Sequence, residues 1–168
     1  PHSGKRFKAM IARGGKVIWL NPRRTETAKQ VGEHHFIRPD TDVFFMLAFL
    51  HALIETGSVD EQRVNLTMTG WDIVKTLVTP WSPERVEPVT RVPATTVREW
   101  VSQYVAADGA ALYSSTGVNQ GSHGSLAFWL QEVINAVSGN LDRRGGTLVG
   151  KGIVDVSKFN RFDPDKPL

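Results

Sequence analysis

The sequence predicts an α/β fold: a domain with a short, mainly parallel sheet and a helical insertion. Three features carry this expectation. The β-branched and aromatic run Val17-Ile18-Trp19-Leu20 follows a helical pattern and a Gly14-Gly15 pair, so it reads as a strand buried on both faces that closes a βαβ unit. A second apolar piece, Phe36-Ile37, leads into the most apolar helix of the chain, and a third, 110–114, runs into a glycine-spaced polar loop and another helix. Strand, polar loop and helix in succession describe an open parallel sheet, whose ligands bind beyond the carboxyl ends of the strands.

The elements follow in order. Phe7, Met10 and Ile11 share one face of a helix over 3–13, with Ser3 as N-cap and Gly14-Gly15 as its end. The strand 16–20 follows, and the first strand of its βαβ unit would lie before Pro1. Thr25 caps a short helix over 25–31, and Phe36-Ile37 forms a short strand. The stretch 42–56 is apolar all round, from Val43 to Ile54, which marks a buried helix with Gly57 as its C-cap and His51 as a hydrogen-bonded core residue. Residues 58–107 read as the helical insertion, with helices over 59–66 and 71–77. Pro80, Pro83, Pro88 and Pro93 mark helix starts there. After Pro93, the residues Val97, Trp100, Val101, Tyr104 and Val105 fall on one apolar face. The small-residue strand 110–114, the loop 115–124, a helix over 125–137, a tight polar loop 138–146 and an extended tail from Thr147 complete the chain.

A chain of 168 residues can bury a sizeable core, and 40% hydrophobic with 22% charged residues is ordinary for a globular domain. There is no cysteine, which excludes disulfides and thiolate metal sites within the chain. No apolar run reaches the roughly 20 residues that span a bilayer, and no signal-peptide layout opens the chain. The start at Pro1 without Met and the abrupt end Asp165-Lys166-Pro167-Leu168 suggest a piece of a longer protein. Residues 1–24 carry seven Lys or Arg and no acidic residue, and the remainder carries 13 Lys or Arg against 17 Asp or Glu. Such a basic start suits an anionic ligand such as a pyrophosphate, or simply a solvated face. A nucleic-acid binder is the class that pI 9.4 brings up, but the basic stretch includes a core strand and no recognition motif appears.

Three loops carry candidate chemistry. Leu20-Asn21-Pro22-Arg23-Arg24 ends the first strand with an amide and two guanidinium groups, and together with the Asp pair of the next loop this chemistry suits a nucleotide better than a catalytic triad. Asp40-Thr41-Asp42 opens the long helix, where Asp40 or Thr41 could also serve as N-cap. The loop 115–124, with Thr116, Gly117, Asn119 and Gln120, permits close backbone approach at a helix N-terminus, yet it matches neither G-x-G-x-x-G nor a P-loop. His34-His35 invites a metal reading, but adjacent strand residues face opposite ways and no third ligand is near. The Asn65-Leu66-Thr67 sequon is discounted.

Taken together, KVIWLNPRRTETA, HHFIRPDTD with its apolar helix, LYSSTGVNQGSHG and INAVSGNLDRRGG resemble, in order and spacing, the molybdopterin oxidoreductases of the dimethyl sulfoxide reductase and formate dehydrogenase group. The resemblance runs from Pro1 to about Val149. It implies a Rossmann-like three-layer domain holding part of a bis(molybdopterin guanine dinucleotide) cofactor with Mo or W, the chain being a central fragment of a much longer catalytic subunit. It assigns Leu20 to Arg24 to the guanosine end, with Asn21 standing where the family usually has Asp, and Arg23 and Arg24 to phosphates. It places guanine on the Asp42 carboxylate within the Asp40-Thr41-Asp42 turn, where the family commonly has glycine at the position of Asp40. Thr116 and Gln120, helped by Gly117 and Asn119, would meet the pterin or its phosphates. His123 matches no required residue and reads as exposed or lining a substrate funnel.

The same resemblance implies a 4Fe-4S cluster and a metal-ligating residue upstream of this chain and a further pterin-binding domain downstream. After GNLDRRGG the chain continues TLVGKGIVDV, so the arginine of the formate dehydrogenases has no match. The expected organisation is one cofactor-binding domain over 1–149, with its insertion at about 58–107, and a tail over 150–168. The expected partners are the small-molecule cofactor, the rest of the parent subunit and an electron-transfer protein, with no nucleic acid and no membrane segment. The expected location is cytoplasmic, or periplasmic for the parent. The fragment alone is expected to be redox-inactive. A freestanding nucleotide-binding module is the alternative.

Overall fold

The computed structural model describes residues 3–150. Among them run helices α1 (Ser3–Ala12), α2 (Glu26–Gln30), α3 (Asp42–Glu55), α4 (Glu61–Thr67), α5 (Trp71–Val78), α6 (Pro83–Thr90), α7 (Ala94–Ala106), α8 (Thr116–Asn119) and α9 (Gly124–Val137). Two strands, β1 (Ile18–Leu20) and β2 (Glu33–His35), pair in parallel with Ile18 opposite Glu33 and Leu20 opposite His35. The described chain is therefore mostly helical with a small parallel sheet, compatible with an α/β fold.

The apolar run of α3 sets the architecture. Ala48, Leu50, Ala52 and Leu53 are wholly covered, because α9, α6, α7 and α5 pack around this helix. A helix with no polar face loses least in water contact when it lies at the centre, and each large aliphatic side chain buried there contributes about 1.5–3 kcal/mol. Leu130, Ile134 and Val137 of α9 and Val97 and Val101 of α7 complete the core. α3 and α9 end alike. Gly57 (φ 64°) and Gly139 (φ 73°) follow the caps Thr56 and Ser138 in the left-handed region. Paired bonds, Gly57 N–H to Ile54 O with Ser58 N–H to Leu53 O, and Gly139 N–H to Ala136 O with Asn140 N–H to Asn135 O, satisfy the last carbonyls.

Several boundaries differ from expectation. The second strand is Glu33–His35, not Phe36-Ile37: Phe36 is exposed, and Arg38 N–H turns instead to Thr90 O. β1 is half-buried, with Trp19 donating its indole N–H to Val31 O at 2.6 Å and meeting Phe7 edge-on. Thr25 caps α2 as expected, accepting from Ala28 N–H. Ser3 is already helical and so is not the cap of α1. In the stretch 58–107 the first helix, α4, begins at Glu61, two residues later than expected. Its prolines divide: Pro83 opens α6 behind the Ser82 cap, Pro93 precedes α7, but Pro88 sits inside α6. On α7, Val97, Trp100 and Val101 are buried whereas Val105 is exposed. His51 is half-buried with Nδ1 3.4 Å from Val78 O, in line with a core role.

The segment 110–114 is not a strand, since no main-chain ladder forms along it among the described residues. A side chain replaces the ladder. Asn135, fully buried on α9, accepts from Leu112 N–H at 3.0 Å and donates to Leu112 O at 2.9 Å, and Asn140 accepts from Ala110 N–H at 3.1 Å. The tight loop after α9 closes with a parallel bridge between Leu141 and Thr147. The tail beyond Gly150, read as extended, lies outside the described residues.

Candidate functional site

The carboxyl ends of β1 and β2 lie side by side, and Asn21 N–H bonds His35 O at 3.1 Å just past the last paired residues. Beyond Leu20 the chain turns on the Asn21 side chain, whose Oδ1 accepts from Arg23 N–H at 2.9 Å. One acceptor of the amide is thus used within the loop, and its Nδ2 hydrogens have no partner among the described residues. Pro22, Arg23 and Arg24 are exposed, and neither guanidinium is bonded to a protein acceptor among the described residues. The two histidines turn to separate neighbours. His34 Nε2 lies 3.2 Å from Asn21 O and its ring meets Phe36, while His35 packs edge-on against Trp100. No metal-binding group of three ligands occurs among the described residues.

From β2 the chain runs through 36–39 to the start of α3, where a small cleft opens. Asp40, Asp42, Val118, Gly121 and His123 line it over a floor of Val43 and Ala127. Neither residue considered as a side-chain cap acts as one. Thr41 occupies the cap position, but its buried hydroxyl donates to Arg38 O at 2.7 Å, and only its main-chain carbonyl receives Phe44 and Phe45 N–H. Asp40 turns away from α3. Its carboxylate accepts Ser122 N–H at 2.7 Å and the Ser122 hydroxyl, 82 residues along the chain. Those bonds, the hydroxyl's first, hold its pKa below the ordinary carboxylate value.

Asp42 behaves in the opposite way. It is half-buried, and its carboxylate has only its own main-chain N–H as a hydrogen-bond partner among the described residues. Burial pushes its pKa up, and the negative Asp40 nearby adds to the shift. A half-desolvated carboxylate lacking a protein donor is complementary to a ligand that presents N–H groups.

The glycine loop is more ordered than a flexible polar stretch would be. Thr116–Asn119 forms the helical turn α8, and α9 starts directly after it at Gly124. A Cβ at Gly124 would collide with Asn119 O, so α9 begins pressed against α8. Thr116, Gly117, Asn119 and Gln120 are all exposed, and of the turn only Val118 lines the Asp42 cleft. Just before it, the buried Ser114 hydroxyl has no hydrogen-bond partner among the described residues.

The structure therefore brings Asp40, Thr41 and Asp42 against the 118–123 loop and sets Leu20–Arg24 beyond the adjoining strand end. Among the described residues no hydrogen bond joins the Leu20–Arg24 loop directly to Thr116–Gln120. Sequence reasoning missed Ser122 and Gly121, whose roles arise from contact with Asp40. It read His123 as exposed or lining a substrate funnel, and the structure puts this exposed residue on the cleft rim, beside Phe44.

No protein-family model matches the chain. Individual proteins do match. The dimethyl sulfoxide/trimethylamine N-oxide reductase of Cereibacter sphaeroides is 30% identical over 147 residues, covering 83% of this chain and 18% of that protein. Formate dehydrogenase H of Escherichia coli is 28% identical over 130 residues, covering 77% of this chain and 18% of that protein. The fold is shared with part of the acetylene hydratase from Pelobacter acetylenicus, at a TM-score of 0.75 and 23% identity, over 83% of this chain and 19% of that one. The chain thus spans about a fifth of the length of the relatives it matches. Similarity in order over about four-fifths of its residues, joined to the shared fold, establishes that the chain belongs to the molybdopterin oxidoreductases, the family of the formate dehydrogenase and dimethyl sulfoxide/trimethylamine N-oxide reductase catalytic subunits.

Proposed function

We propose that this chain is the part of a molybdenum- or tungsten-dependent oxidoreductase that holds the guanosine end of bis(molybdopterin guanine dinucleotide). The observation that carries the reading is the Asp42 carboxylate: half-buried, raised in pKa by that burial, and among the described residues without a donor other than its own main chain. Its two oxygens suit the adjacent ring N–H and exocyclic amine of guanine, an arrangement that adenine does not offer. Electrostatics supports placing the base there and the phosphates elsewhere. Asp40 and Asp42 make the cleft negative, whereas Arg23 and Arg24 present planar donor forks at the neighbouring strand end.

In this reading Leu20 and Pro22 hold the loop in place, the free Nδ2 of Asn21 donates to a ribose hydroxyl, and Arg23 and Arg24 bind the phosphates. Thr41 and Asp40 shape the turn. Thr116, Gly117, Asn119 and Gln120 reach the pterin side of the ligand, consistent with their exposure at the end of the loop. The bound cofactor supplies two-electron redox chemistry, and this chain's residues bind and orient it. With no cysteine, the chain leaves a 4Fe-4S cluster and a thiolate metal ligand to the rest of the parent subunit, so redox activity is not expected of this chain by itself. The cofactor domain covers 1–149, with the insertion at about 58–107. Its sheet extends past β1 and β2 in a Rossmann-like three-layer arrangement, for which the ladder-less segment 110–114 supplies a ready edge. The parent's electron-transfer partner and a cytoplasmic setting belong to the same proposal.

Guanosine and adenosine diphosphates titrated into the 168-residue chain by calorimetry test it. Tighter binding of GDP by about tenfold or more is expected, since one lost charge-assisted pair costs about 1.5–3 kcal/mol. Asp42→Asn should erase the preference. Equal binding of both nucleotides by the unaltered chain would refute the assignment.

A further inference from the structure

We propose that Asp40 is a positioning residue that latches the 121–124 loop to the start of α3 and so shapes the cleft in front of Asp42; the proposal rests on the guanosine reading above. Three independent features meet at this point. The Asp40 carboxylate takes both donors of one residue, the Ser122 N–H and the Ser122 hydroxyl, which fixes the loop in distance and in rotation. Asp40 sits at φ 62°, a left-handed backbone that non-glycine residues adopt uncommonly, and that backbone directs the side chain across to the loop instead of onto α3 as a cap. Gly121 leaves room for the carboxylate: a Cβ there would lie 2.5 Å from Asp40 Oδ1.

The consequence falls on the cleft. Val118, Gly121 and His123 line the cleft with Asp42; Val118 packs on the core and His123 meets Phe44, and Asp40 makes the side-chain hydrogen bonds that join the loop to the start of α3 among the described residues. Each bond is exposed and weak alone, but two on one residue restrict the loop before any ligand arrives, which lowers the ordering cost of binding. The Asp40 carboxylate does not itself present a donor to the base. It keeps the opposite wall of the Asp42 pocket in place.

Four variants of the 168-residue chain decide the matter, with amide hydrogen exchange and GDP and ADP titrations as readouts. Asp40→Gly suits the left-handed backbone and removes only the carboxylate. It should leave the melting temperature within about 2 °C, speed exchange at Ser122 by about tenfold and weaken GDP binding by a similar factor. Asp40→Asn keeps an acceptor for the Ser122 N–H and offers a donor to its hydroxyl, so it should retain most of the protection and affinity. Ser122→Ala should fall between, and Asp40→Gly with Ser122→Ala should be no worse than Asp40→Gly alone. Unchanged Ser122 exchange in Asp40→Gly overturns the latch. Faster exchange with undiminished GDP affinity overturns its role in shaping the cleft. An unaltered chain that binds no GDP defeats the guanosine reading, while the exchange comparison still decides whether Asp40 holds the loop.

Discussion

Replacing Asn135 by alanine should destabilise this protein more than any other single polar truncation in its core. The side chain is fully buried on α9 and makes three bonds: Oδ1 accepts from Leu112 N–H at 3.0 Å and from the Tyr104 hydroxyl at 2.9 Å, and Nδ2 donates to Leu112 O at 2.9 Å. At about 1 kcal/mol net per bond the loss is about 3 kcal/mol, and groups left unsatisfied in a dry site raise it by about 1–3 kcal/mol each. Tyr104 retains a long contact from the Ser138 hydroxyl, so Leu112 supplies most of the excess. A total of about 4–6 kcal/mol corresponds to a melting-temperature drop of about 8–24 °C for a chain of this size. Urea unfolding at an unchanged m-value would measure it, and hydrogen exchange at Leu112 would show that the segment 110–114 is released first. Asn135→Asp keeps the acceptors, loses the donor to Leu112 O and buries a charge; it should be comparably destabilised at neutral pH and partly recover in acid. A cost below about 1 kcal/mol for Asn135→Ala would show that the amide does not stand in for a strand.

Other expectations follow from the same geometry. Burial raises the pKa of Asp42, so its neutral form contributes stability that is present below the ordinary carboxylate value of 3.8 and lost as pH rises through the higher folded value; Asp42→Asn should therefore be the more stable protein at neutral pH, measured by urea unfolding, even as it loses guanine preference. Glu84 is held down at about 2 by hydrogen bonds from Arg98, which also pairs with Glu55; its contribution is present above 4.5 and lost as pH falls toward 2, and Arg98→Met should flatten that part of an acid titration. Gly124→Ala should shift or fray the start of α9, because its Cβ meets Asn119 O, and lower the melting temperature by several degrees while Gly117→Ala, with open space around it, changes it little. Thr25→Ala should cost about 1 kcal/mol through the lost cap to Ala28 N–H, read from the unfolding midpoint.

Some errors at the boundaries share a physical cause. Phe36-Ile37 has the side chains of a strand, but pairing with β1 is set by β1's register, and the ladder ends at His35. The segment 110–114 has the small and aromatic residues that a strand allows. What it lacks among the described residues is a neighbouring strand, and no local pattern reveals that lack. Pro88 inside α6 shows that a proline is tolerated in mid-helix where packing on α3 and α7 holds the surrounding turns.

Local chemistry determined much of this protein. The apolar run of α3, the Thr25 cap, the glycines after α3 and α9, and the strand ending in Asn21-Pro22-Arg23-Arg24 are all written over spans of a few residues, because propensity, capping and periodicity act over one or two turns. The tertiary structure alone decided what those pieces do together. It turned Asp40 from a helix cap into a partner of Ser122, left Asp42 half-buried without an external donor, and made Asn135 the substitute for a missing strand. Those outcomes depend on which groups lose water at the same place, and residues 23 and 82 positions apart meet only once a common core has drawn them together.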